Sequence, residues 1–221
     1  MRFFLVAGEA SGDALGAALM AGLKDLAPGV TFHGVGGPRM AAEGLESLFP
    51  MEELSVMGLV EILPKYRRLK RRIAETAAAA VQVAPSALVT IDSPDFGLRV
   101  ARAARTAAPA LRTIHYVAPT VWAWRPGRAA KMAEVIDHVL ALFPFEPPYM
   151  QAAGMSCDFV GHPVVAQPRA TAAEAAAFRE RLGLGAEDTL LLCLPGSRRS
   201  EVTRLAPRFE QAIAAFRDRE P

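Results

Sequence analysis

Cysteine is scarce in this chain of 221 residues. Cys157 and Cys193 stand alone and far apart, which excludes a disulfide scaffold and a cysteine-based metal site, and suits a reducing cytosol. A charge bias is missing as well: 25 Lys and Arg oppose 23 Asp and Glu, a net +2, so any electrostatic partner must be met by a local patch. Long apolar runs are absent. The longest uncharged stretch, Thr76–Ile91, contains Gln82, Pro85, Ser86 and Thr90, whereas a spanning helix needs roughly 20 predominantly apolar residues. The opening "MRFFLVAGEASGD" has one Arg and a very short apolar run before Glu9, which does not make a signal peptide. Neither G-x-G-x-x-G nor G-K-[ST] occurs where a strand meets a helix, so the usual dinucleotide and P-loop fingerprints are excluded.

What is present is alternation. The chain is 52% hydrophobic, though many of those residues are alanines in helical stretches. Short apolar runs at 2–7, 31–36, 87–92, 112–118, 138–144, 157–161 and 189–194 read as strands. Between them, 13–26, 38–43, 66–83, 97–107 and 127–136 read as helices. The order predicts an α/β fold, a Rossmann-like parallel sheet wrapped by helices, with working residues at the carboxyl ends of strands. Residues 164–170 read as a connection; Thr171 and Glu174 then form a capping box for a helix over 172–182, closed by Gly183. The predicted division is one Rossmann-like domain over 1–165 and the incomplete start of a second over 166–221.

Several stretches have the residue types of a site. "VAGEASGD" (6–13) ends the first strand and opens the first helix; Gly8 and Gly12 permit close backbone approach, and Ser11 or Asp13 is placed to cap the helix. The same residues serve a plain strand–helix turn equally well. "GVGGPRM" (34–40) repeats the theme, with Pro38 suited to the first helical position. "VTIDSPDFGLR" (89–99) places Asp92 directly after a buried run and Asp95 three residues later, where a loop or a catalytic base is served. "HYVAPTVWAWRPGR" (115–128) puts Trp122 and Trp124 on one face of an extended segment, suited to stack on a sugar or hold an acyl chain. His115 and His162 suit core roles or chemistry. "LPGSRRSE" (194–201) offers a helix N-terminus and guanidinium groups to phosphate oxygens, or is a solvated turn. In "LVEILPKYRRLKRR" (59–72), Val60, Ile62, Leu63 and Tyr66 accompany Lys65, Arg67 and Arg68, a pattern for lying on anionic lipid. An RNA-binding patch and a solvated helix face are the rivals; no aromatic stacking motif for nucleic acid accompanies the basic run.

Taken in order, "VAGEASGD", "GVGGPRM", "MEELSVMGLVEIL", "IDSPDF", "HYVAPTVWAWRPGR", "FPFEPP", "GHP" and "LPGSR" resemble the lipid-A-disaccharide synthase family along the whole chain. The resemblance implies a GT-B glycosyltransferase of two Rossmann-like domains, of which this chain would be the first half and the start of the second. It implies an inverting, metal-free and cofactor-free transfer from a UDP-linked acylated glucosamine to an acylated glucosamine 1-phosphate, releasing UDP. The implied setting is lipid A biosynthesis in Gram-negative bacteria, in the cytoplasm at the periphery of the inner membrane, with an anionic membrane surface as partner and room for a homodimer. By the same resemblance Asp92 is the base, Ser197 and Arg198 hold the UDP phosphates, and Gly8, Glu9, Ser11, Asp13, Asp95, His115, Trp122, Trp124 and Arg125 contact substrate. Val60, Ile62, Leu63, Lys65, Tyr66, Arg67 and Arg68 would contact the membrane. Family chains are longer, so uracil- and ribose-binding residues are expected beyond Pro221 and the chain alone is expected to be inactive. A UDP-N-acetylglucosamine 2-epimerase relative and a non-catalytic peripheral membrane protein are the alternatives; the lipid-type segment argues against the first, Asp92 with both tryptophans against the second.

Overall fold

A computed structural model describes residues 1–55, 62–196 and 199–217, with backbone alone at residues 55, 62–66 and 199–200. The chain divides into two compact units, Met1–Gln167 and Pro168–Pro221. In the first, the described residues form one parallel sheet from β1 (Arg2–Ala7), β2 (Thr31–Val35), β3 (Glu46–Ser47), β4 (Ala87–Ile91), β5 (Thr113–Tyr116), β6 (His138–Ala141) and β7 (Ser156–Phe159). Their spatial order is β3-β2-β1-β4-β5-β6-β7. The expected class, an α/β Rossmann-like parallel sheet, is the one observed.

Side-chain alternation explains why both faces are covered. In β1, Phe4 and Val6 belong to one apolar cluster while Leu5 and Ala7 belong to another, and in β4 Leu88 parts from Val89 and Ile91 in the same way. The first cluster takes in Ala77 and Ala80 of α4 (Ile62–Val83) and Phe96, Val100 and Ala104 of α5 (Pro94–Ala107). The second takes in Leu15 and Met20 of α1 (Ala10–Leu26) and Met40 of α2 (Pro38–Ala42). A sheet buried on both faces needs continuous apolar strands, and all five residues of β4 are buried.

The remaining helices of this unit are short: α3 (Glu52–Ser55), α6 (Arg128–Ala133) and α7 (Pro147–Ala152). A 3-10 turn over Pro163–Ala166 is capped by His162, whose Nδ1 accepts the Val164 N–H at 3.0 Å. Among the described residues, no helix is long and apolar enough to cross a membrane.

The second unit contains α8 (Ala172–Arg181) and α9 (Arg199–Arg217). The expected capping box is formed: Thr171 Oγ1 accepts the Glu174 N–H at 3.2 Å, and Glu174 Oε2 accepts the Thr171 N–H at 2.7 Å. The expected strand over 189–194 is not formed. A strand needs a hydrogen-bonding neighbour, and the described residues of this unit include no other strand. Its leucines are consequently open to solvent, Leu192 by 73% and Leu194 by 75%.

Candidate functional site at the sheet switch point

Strand order reverses between β1 and β4: the chain leaves β1 toward β2 on one side and leaves β4 toward β5 on the other. In open parallel sheets ligands bind in the crevice outside the carboxyl ends of strands at such a point. Two of the predicted stretches meet there. Ser11, in the first turn of α1, donates its hydroxyl to Asp92 Oδ2 at 2.6 Å. Asp92 itself follows β4, with its N–H donated to the Tyr116 carbonyl at 2.9 Å.

Glycine makes this meeting possible. A Cβ on Gly12 would stand 3.1 Å from the Ile91 carbonyl oxygen, and one on Gly8 would stand 3.0 Å from the Ser93 hydroxyl. A side chain at either position would have to push its neighbour back by a few tenths of an ångström, and at Gly12 that neighbour is backbone. Glu9 precedes α1 at its N-cap without capping it through its side chain.

Backbone strain occurs at the same place. Asp92 has φ +51 and Ser93 φ +36, both left-handed; Val117 after β5, Arg125 before α6 and Ala84 before β4 have φ +90, +51 and +45. Such residues cost of order 1–3 kcal/mol each and persist where the surroundings over-determine them, which is typical of functional sites. Asp tolerates this region better than most residues because its short polar side chain bonds locally.

Three expectations change. Asp13 caps neither α1 nor a substrate: it is buried, and its carboxylate accepts the N–H groups of Gly37 at 2.9 Å, Arg39 at 3.0 Å and Met40 at 3.0 Å. It is the anchor of the α2 N-terminus, where orphan donors need an acceptor. Asp95 is not in a loop, because Pro94 with its fixed φ opens α5 and leaves Asp95 exposed in the first turn. His115 is buried in the sheet, 1% exposed, with Nδ1 2.7 Å from Thr90 Oγ1, so it has no open surface for a substrate.

Burial pushes the His115 imidazole down to about 4, with Asp92 raising it and Arg128 lowering it further. The unfolded chain thus takes up this proton near 6.5 and the folded chain only near 4. Stability should be unaffected above that window and fall by about 3 kcal/mol as pH drops through it. His115→Gln should flatten this acid limb in melting curves recorded across the window; an unchanged limb would assign it to other groups.

The tryptophans lie in a turn over 121–124 rather than an extended segment, and the Trp124 N–H reaches the Thr120 carbonyl at 2.9 Å. Pro119 and Pro126 bracket that turn and disfavour a continuing strand. Both tryptophans are nevertheless exposed and line one apolar groove of about 740 Å³ with Pro126, Ala129 and Tyr149. Trp122 meets Phe145 edge-on at 5.2 Å, and Phe143 stacks on Phe145 at 5.6 Å. Buried Glu146 holds the loop that carries these rings by accepting the Leu142 and Phe143 N–H groups, both at 3.0 Å. On the other side of the same segment, Arg125, Arg128 and Lys131 face Asp95 across a second pocket of about 610 Å³. The expectations for the sequence missed Arg128 and Lys131; their i, i+3 spacing in a helical stretch was the available signal.

Ser197, Arg198 and Val60 lie outside the described residues, and so do the side chains of Ile62, Leu63, Lys65 and Tyr66. Of the described basic residues, Arg67 is exposed. Arg68 is held by Glu53 at 2.8 Å, and Arg72 by Glu53 and Glu75 at 2.8 and 2.7 Å.

A doubly wound parallel sheet with helices on both faces places the chain in the Rossmann-like α/β class. The fold is shared with UDP-GlcNAc 2-epimerase from Neisseria meningitidis, bound to UDP-GlcNAc (TM-score 0.53, 10% identity, 75% of this chain and 47% of that one). The family is fixed by sequence: the model of lipid-A-disaccharide synthetase matches residues 3–221, and the chain belongs to that family. It is 66% identical over its whole length to the lipid-A-disaccharide synthase of Ruegeria pomeroyi, covering 55% of that protein. The Rhodospirillum centenum enzyme is 53% identical, also with 55% covered, and that of Pseudomonas aeruginosa 49% identical, with 54% covered by 95% of this chain. The chain thus spans about half the length of these relatives.

Proposed function

We propose that the chain is the acceptor-side part of an inverting glycosyltransferase of lipid A biosynthesis. It joins a UDP-linked diacylglucosamine to a diacylglucosamine 1-phosphate and releases UDP. The observation that carries this reading is the carboxylate of Asp92 at the switch point, strained in backbone and tied to Ser11. A sugar hydroxyl is a poor nucleophile until a base removes its proton. In the proposed step Asp92 takes that proton, the oxygen attacks the anomeric carbon, and the bond to UDP breaks with its electron pair leaving on the diphosphate. Ser197 and Arg198 are the proposed holders of that developing charge, as charge-assisted donors. Glu9, Gly8, Ser11 and Asp95 are proposed to border the sugar.

The groove beside Trp122 and Trp124 suits an acyl chain, because its lining is apolar and includes the rings of both tryptophans and Tyr149. Its neighbour on the acceptor would be the sugar at Asp92. The test is UDP release from the two acylated sugars by a protein completed with the carboxyl-terminal part of a full-length relative. No UDP release, or epimerisation of UDP-N-acetylglucosamine instead, would overturn the reading.

The proposed location is the periphery of the inner membrane, with 59–72 against anionic lipid. Replacing Val60, Ile62 and Leu63 by Ser should weaken binding to anionic vesicles, each buried side chain contributing at most about 1.5–3 kcal/mol. High salt should weaken what remains, since basic residues near such a surface contribute about 1 kcal/mol each. Vesicle flotation that responds to neither treatment would remove this segment from the membrane.

A further inference from the structure

We propose that Arg125, Arg128 and Lys131 form a subsite for a phosphate monoester, the anionic group of the acylated acceptor sugar. The inference rests on the glycosyltransferase reading and adds the residues that recognise one end of its substrate. The pocket is walled by Pro94, Asp95 and Leu98 on one side and by the three cations on the other. Arg128 and Lys131 are three positions apart on α6, so their side chains rise from one helix face. Arg125 reaches the same pocket from the strained turn just before α6, and its guanidinium lies 5.2 Å from the Trp124 ring centroid.

Arg102 and Arg105 of α5 are paired with Glu134 at 2.8 Å and with Asp137 at 3.0 Å. Arg125, Arg128 and Lys131 form no ion pair among the described residues, and Asp95 is the one carboxylate that lines their pocket. Three cations against one carboxylate leave an excess suited to a group of about two negative charges, which a phosphate monoester has near neutrality. Two guanidinium groups supply the forked donors that phosphate oxygens accept, and the ammonium adds a compact charge.

Position selects the source of that phosphate. Pro94 and Asp95, which line the pocket, follow Asp92 by two and three residues at the carboxyl end of β4, which puts the pocket beside the proposed base. The stretch from Val121 to Met132 sends Trp124, Pro126 and Ala129 to the apolar groove and Arg125, Arg128 and Lys131 to this pocket. A ligand with an acyl chain and an anionic sugar head matches both sides of that stretch at once. A nucleotide diphosphate or free phosphate would use the pocket without the groove.

Trp122 and Trp124 are the only tryptophans of the chain and both line the groove, so their fluorescence reports occupancy. The probes for residues 1–221 are a short-chain diacylglucosamine 1-phosphate, the same lipid without phosphate, inorganic phosphate and UDP. Wild-type protein should prefer the phosphorylated lipid by about tenfold or more, the size of one or two charge-assisted bonds. The Arg128→Gln, Lys131→Gln double variant should lose that preference and bind the dephosphorylated lipid as wild type does, and inorganic phosphate should compete for the phosphorylated lipid alone. Lys131→Gln alone, at an exposed position, should show a smaller loss and keeps the test decisive if the double variant unfolds. Equal affinity for the two lipids in wild type, or an undiminished preference in the folded variants, overturns the subsite. So does stronger competition by UDP than by inorganic phosphate, which would give the pocket to the nucleotide. Binding of neither lipid overturns the subsite too, whereas the glycosyltransferase reading fails separately, by absence of UDP release from the completed protein.

Discussion

Asp92→Asn, placed in a protein completed with the carboxyl-terminal part of a relative, is expected to lower kcat by roughly 10²–10⁴, the range for loss of a general base. Asparagine is the informative replacement because it accepts the left-handed φ of +51 nearly as well as aspartate. It also keeps a carbonyl oxygen for the Ser11 hydroxyl, which now donates to Asp92 at 2.6 Å. Melting temperature and substrate affinity should therefore change little while turnover collapses. Asp92→Ala would mix loss of the base with added backbone strain and is the poorer experiment. Asp95→Asn should keep turnover within a few-fold and act on acceptor affinity, because Asp95 faces the cationic pocket from the first turn of α5. Steady-state kinetics on both variants decides the assignment. If Asp95→Asn is dead with an intact fold and Asp92→Asn remains active, the base is Asp95.

Asp13→Ala should be strongly damaging to stability. It removes the acceptor for the Gly37, Arg39 and Met40 N–H groups, two of those bonds lying wholly within the protein. An unsatisfied buried donor costs about 1–3 kcal/mol, so the loss should be of order 3–5 kcal/mol out of the roughly 5–15 that hold a domain together. For a chain of this size that is a fall in Tm of about 10 °C or more. Asp13→Asn keeps one acceptor oxygen and should lose roughly half as much. A full-strength fold in Asp13→Ala with weakened substrate binding would return Asp13 to the substrate.

How much of this was readable from the sequence differs by element. β1 and β4 were legible because a strand buried on both faces must be a short continuous apolar run, and the following Gly8 and Asp92 mark where it leaves the core. The two-residue β3 was not, since Glu46–Ser47 is an exposed edge with no apolar pattern. At 189–194 the pattern pointed to a strand, but local pattern cannot supply a neighbouring strand. At the site, the partnership of Ser11 with Asp92 spans 81 positions and is visible only once the sheet order is known. Asp13 shows the converse difficulty. A carboxylate in a glycine-rich turn has the same letters whether it faces a ligand or the N–H groups of another helix, and burial alone separates the two.

The uncovered leucines of residues 190–194 bear on how any preparation of this chain behaves in solution. Leu190, Leu191, Leu192 and Leu194 are 46 to 75% exposed on backbone that joins no strand ladder. Contiguous exposed apolar side chains invite association between copies. Sedimentation of residues 1–221 should then show self-association that grows with concentration and yields to Leu191→Lys with Leu192→Lys. A dimer seen in this preparation would report the exposed leucines, whereas a stoichiometry that belongs to the rest of the fold must survive those two lysines.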